Sequence, residues 1–121
     1  MSYESELPFK KNPQEILAED PKLSLVVSRL QSLFNPLHIY LFGSRVTGLN
    51  RVNSDYDFVV VVSKTEKSRL ENMQFARQAL FDLDVSVDVF VYEETEFNEW
   101  KNELNSIPEA AYNLGVELSC G

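Results

Sequence analysis

A single cysteine, Cys120, stands next to the C-terminus of this 121-residue chain, so an intrachain disulfide is excluded and a reducing compartment is expected. The thiol is expected to be an exposed bystander. No apolar run is longer than Phe58–Val62, far too short to cross a bilayer. The N-terminus has no apolar h-region, so no signal peptide is expected and the cytoplasm is the expected location. There is no Cys/His cluster, no internal repeat and no low-complexity segment. Bases are also scarce: 11 Lys and Arg stand against 19 Asp and Glu, a net charge of -8. Proteins that grip nucleic acid backbones usually present a basic surface. Here the bases are scattered as Lys10-Lys11, Arg45 and Arg51, and Lys64 to Arg69. Direct nucleic acid binding is therefore not expected, and a small molecule or a partner protein is the better fit. A basic partner would be attracted over distance by this field.

What is present suits one small domain. Residues 1–12 are polar without a period and are expected to form a loose tail, leaving residues 13–121 as the domain. Asn12-Pro13 is a candidate helix start, and Pro21 breaks or restarts that helix. Leu23, Val26, Val27, Leu30, Leu33 and Phe34 recur at three- and four-residue spacing and mark an apolar helical face that Asn35-Pro36 ends. Leu37–Phe42 reads as a buried strand and Asp55–Val62 as a second. Ser63–Asp82 reads as a helix, with Leu70, Met73, Ala76 or Arg77, and Leu80 on one side. Asp84–Val91 alternates strictly, as a strand with one buried face does. Glu93–Asn105 and Pro108–Asn113 read as helices, and Gly115–Leu118 as an edge strand. The order predicts an α/β (α+β) domain, a small mixed sheet flanked by helices.

The most informative stretch is Gly43-Ser44, then ten residues, then Asp55-Tyr56-Asp57 at the mouth of the apolar strand. Successive strand residues point to opposite faces, so Asp55 and Asp57 share one face. Two carboxylates beside a Gly-Ser turn can hold a divalent cation and the phosphates it carries. Glycine lets backbone approach a phosphate closely, and the Ser44 hydroxyl and nearby N–H groups can donate to its oxygens. Arg45 and Arg51 in the same loop system could offset triphosphate charge, or simply pair with surface acids. Asp88 adds a third carboxylate from a neighbouring strand, as a metal ligand or as acceptor of a proton from an incoming hydroxyl. Asp84 shares its face but lies at the strand entrance and ranks lower. The candidate ligands are all hard oxygens, which favours magnesium.

Gly43-Ser44-Arg45-Val46-Thr47-Gly48 through Ser54-Asp55-Tyr56-Asp57, followed by Val87-Asp88-Val89, resembles the DNA polymerase β-like nucleotidyltransferase superfamily. In particular it is similar to the minimal nucleotidyltransferases, over roughly residues 23–118. The resemblance implies a polymerase β palm-like fold, with Gly43 and Ser44 binding nucleotide phosphates and Asp55, Asp57 and Asp88 ligating magnesium. It also implies ATP as substrate and a HEPN-type partner, a helical ribonuclease toxin. The chain would be its antitoxin, transferring AMP to a partner tyrosine. Val46 stands where the family usually has alanine, which bears on how closely the loop wraps the phosphates.

Asp-x-Asp at a strand start is, taken alone, more often a solvated turn than a metal site, and Asp88 alone reads as an exposed residue of an edge strand. A binding module that neutralises its partner by complex formation is the competing function, with nucleotidylation of a small molecule third. His38 is expected to be a packed strand residue. Phe97 and Trp100 are expected in the core or on a partner-facing patch. Glu93-Glu94-Thr95-Glu96 suits the acidic first turn of a helix. Tyr3, Tyr40, Tyr56, Tyr92 and Tyr112 could each accept a nucleotide, with nothing local to single one out.

Overall fold

In the computed structural model, which describes residues 18, 20–42 and 56–120, helix α1 (Pro21–Phe34) starts at an Asp20 cap. The Asp20 carboxylate accepts from the Leu23 N–H at 3.1 Å, and Pro21 occupies a position where its missing N–H costs nothing. Leu23, Val26, Val27 and Leu30 are buried as their spacing predicts. Asn35 ends the helix in the left-handed region at φ 47°, its N–H bonded to the Gln31 carbonyl. The tail and the Asn12-Pro13 start lie outside the described residues.

Four strands follow: β1 (His38–Phe42), β2 (Tyr56–Val62), β3 (Val87–Glu93) and β4 (Val116–Cys120), in the order β3-β2-β1-β4. β1 runs antiparallel to β2 and β4, while β2 and β3 run parallel. The fold is thus a small mixed sheet flanked by helices, as the pattern predicts. A parallel pair needs a crossover, supplied here by α2 (Arg69–Ala79) and a 3-10 turn at Phe81–Leu83. Helices α3 (Glu94–Trp100) and α4 (Ile107–Leu114) then lead into β4.

Both faces of the sheet are covered. One core joins Ile39, Leu41, Phe58, Val60, Val89 and Val91 to the buried stripe of α1 and to Ala76 and Leu80. The other joins Tyr40, Val59, Val61 and Tyr92 to Phe97 of α3 and Ala111 of α4. This double burial explains the unbroken Phe58–Val62 run, since each fully buried aliphatic side chain contributes about 1.5–3 kcal/mol. Among the described residues no helix is long and apolar enough to cross a membrane.

Several element boundaries differ from the periodicity. α2 starts at Arg69, because Ser68 and Glu71 form a reciprocal capping box that fixes its first turn. Those hydrogen bonds to Ser68 hold the Glu71 carboxyl below its usual pKa. Its inner face runs through Asn72, Ala76 and Leu80, leaving Leu70 exposed. Buried Asn72 is satisfied by donating to Thr65 Oγ1 at 3.2 Å and the Lys67 carbonyl at 3.4 Å. β3 begins at Val87 because Asp84 takes a left-handed conformation (φ 54°) after the 3-10 turn. The second face of β3 is also covered at Tyr92, so its burial is one-sided only near its start. α3 stops at Trp100, and the following turns include Asn105 at φ 69°.

Candidate active site

The site is built on rows of residues that cross the sheet. The register places Phe42 opposite Asp57, and Asp57 opposite Asp88. The next row along the strands is Tyr40, Val59 and Phe90, and the one after it His38, Val61 and Tyr92. Residues two apart share a face, so Asp57 and Asp88 lie on the face that carries the second core. That core reaches only to Phe42 and Phe90, whose rings sit 6.3 Å apart, before the carboxylate row. Both acids are half-buried at the N-terminal mouths of parallel strands spaced ~4.8 Å apart.

Of the residues singled out in the sequence, the fold brings Asp57 and Asp88 together. Gly43, Ser44, Arg45, Arg51 and Asp55 lie outside the described residues. In the sequence Gly43-Ser44 follows directly on Phe42, the third member of the carboxylate row, and Asp55 precedes Asp57 by two. Among the described residues no group of three or more His, Cys, Asp or Glu side chains could hold a metal. Asp57 and Asp88 are two hard-oxygen donors on one face, which fits part of a magnesium shell. Asp84 belongs to the turn before β3, where its N–H bonds the Phe81 carbonyl at 3.5 Å, and it is not a member of the row.

Asp88 has a partner that periodicity does not reveal. Arg77, in the last turn of α2, places Nη2 3.0 Å from Asp88 Oδ1. The available signal was a base near the end of the helix that feeds the acid-bearing strand. A pocket of about 310 Å³ opens beside this pair, lined by Arg77, Leu80, Phe81, Asp84 and Ser86 among others. The start of β2 is tied down independently: the Tyr56 hydroxyl donates to Asp20, the cap of α1, and its N–H bonds the Ser86 carbonyl at 3.2 Å. These bonds link α1, β2 and the approach to β3 around the carboxylate row.

Farther along the sheet the chemistry is structural. His38 is half-buried, lies against Tyr40 and pairs with Glu117 of β4 at 2.5 Å. Phe97 is in the core, as one of its two expected placements has it, while Trp100 is about half exposed. At the opposite end of β3, Arg69 bridges Glu96 at 2.8 Å and lies over the Tyr92 ring.

A comparison with curated proteins found no match. The nucleotidyltransferase domain family matches residues 23–112, a span that runs from the first turn of α1 into α4 and contains both acids of the row. The chain therefore belongs to the nucleotidyltransferase domain family, in the polymerase β-like superfamily, and is an enzyme of nucleotidyl transfer.

Proposed function

We propose that this nucleotidyltransferase is a magnesium-dependent protein adenylyltransferase that moves AMP from ATP to a tyrosine hydroxyl of a HEPN-type toxin, acting as its antitoxin. The observation that carries the reading is the row formed by Asp57 and Asp88, at the sheet end where Phe42 leads into Gly43-Ser44. Asp55, Asp57 and Asp88 would hold the metal, and their all-oxygen chemistry suits magnesium. Bound there, magnesium would neutralise charge that develops on the phosphate oxygens. Gly43 and Ser44 would donate to the phosphates, with Arg45 and Arg51 offsetting triphosphate charge.

In the transfer, the acceptor oxygen forms a bond to the α-phosphorus while the bond from that phosphorus to the bridging oxygen breaks. Pyrophosphate leaves with the electron pair, and Asp88 accepts the proton of the attacking hydroxyl. The net charge of -8 favours a protein acceptor with a basic surface. Residues 13–121 would form the catalytic domain, with residues 1–12 as a tail. The lone cysteine suits a cytoplasmic setting.

The test is the intact mass of a candidate HEPN-type partner after incubation with this chain, ATP and magnesium, beside an Asp57→Asn control. AMP-sized increments that the control lacks are expected. Equal inhibition of the partner without ATP, and without any increment, would favour a binding module instead.

A further inference from the structure

Asp57 and Asp88 are register partners on neighbouring strands, one strand spacing (~4.8 Å) apart and on the same face. Arg77 reaches Asp88 from α2, with Nη2 3.0 Å from Oδ1. The pair is solvated: the Arg77 side chain is 60% exposed and that of Asp88 36%. Such pairs are weak, so a divalent ion held by both carboxylates can displace the guanidinium. The displaced side chain has somewhere to go. It lines the 310 Å³ pocket that Asp84 also lines, so a second carboxylate stands in the space into which Arg77 can turn.

We infer that Arg77 is a resident counter-cation of the candidate metal site, held on Asp88 while no divalent ion is bound and released towards Asp84 when one binds. The inference rests on the proposed metal role of Asp57 and Asp88. Its consequence is regulatory. Arg77 raises the concentration of divalent ion needed to fill the site.

The test is titration with Mn²⁺ alone, without nucleotide, following free Mn²⁺ by electron paramagnetic resonance. Wild type is compared with Arg77→Met, Asp84→Asn, the Arg77→Met/Asp84→Asn double variant and Asp57→Asn. Arg77 is exposed on a helix and methionine is a good helix former, so the variant is expected to fold, which a thermal melt checks. Arg77→Met should tighten Mn²⁺ binding about two- to fivefold, the range expected for loss of one solvated ion pair. Asp84→Asn should weaken binding, and by less once Arg77 is already methionine. Unchanged or weaker binding by Arg77→Met, with binding still lost in Asp57→Asn, would overturn the role of Arg77 and leave the metal reading standing. No Mn²⁺ binding by wild type would overturn the metal reading, and the inference with it.

Discussion

Asp57 on β2 and Asp88 on β3 are direct register partners across the parallel pair of the sheet. Every other residue of β2 is buried, so Asp57 is the one polar position in a strand otherwise given over to core. A carboxylate on a central strand that carries no apolar load points to chemistry more than to stability.

Asp57→Asn and Asp88→Asn keep the side-chain shape and remove the charge. Each should lower nucleotidyl transfer by about three orders of magnitude or more, because the stabilisation of phosphoryl charge at such a site amounts to several kcal/mol. Thermal melting should move little, since both side chains are only half-buried. Turnover within a few fold of wild type in either variant would contradict the assignment.

Two phenylalanines separate core from surface. Phe58 is 0% exposed between the sheet and its helices, so Phe58→Ala should cost about 3–5 kcal/mol in urea unfolding. Phe81 is 86% exposed, and Phe81→Ala should change stability by less than about 0.5 kcal/mol.

Gly115 joins α4 to β4 where backbones approach closely. A Cβ there would lie 2.4 Å from the Ala111 carbonyl oxygen and 2.8 Å from that of Leu41. Neither backbone atom can rotate aside, so Gly115→Ala should destabilise the fold by about 1–3 kcal/mol through overpacking. A denaturation midpoint equal to that of wild type would show that β4 shifts freely.

Tyr92 predicts an alkaline limb. Burial raises its phenol above the ordinary 10.0, with Arg69 opposing and Glu96 adding to the shift. The folded state therefore holds this proton more tightly than the unfolded one. The stability this confers is complete below the unfolded value and is lost as pH rises through the folded one. Urea midpoints between pH 9 and 11 (roughly the ordinary tyrosine range) should fall more steeply for wild type than for Tyr92→Phe. Parallel curves would contradict this.

Local pattern carried much of the fold. The spacing of Leu23, Val26, Val27 and Leu30 marks α1, and the Phe58–Val62 run marks a strand buried on both faces. Alternation around Asp88 gives the face that it shares with Asp57 once the strands are adjacent. The start of α2 was written locally too, in Ser68 and Glu71, but a longer apolar period that included exposed Leu70 masks it. Other features depend on distant pairing that no window contains. His38 meets Glu117 across 79 positions, and Tyr92 is covered by helices that come after it in the chain. The grip of Arg77 on Asp88 spans 11 positions, yet it depends on how the α2 crossover returns to the sheet.

The metal–nucleotide site is tested by calorimetric titration of a non-hydrolysable ATP analogue, with and without magnesium, into wild type, Asp57→Asn and Asp88→Asn. Magnesium-dependent binding by wild type that both variants lose is the predicted result. Equal binding by all three proteins, or binding indifferent to magnesium, would contradict a metal–nucleotide site built on the Asp57–Asp88 row.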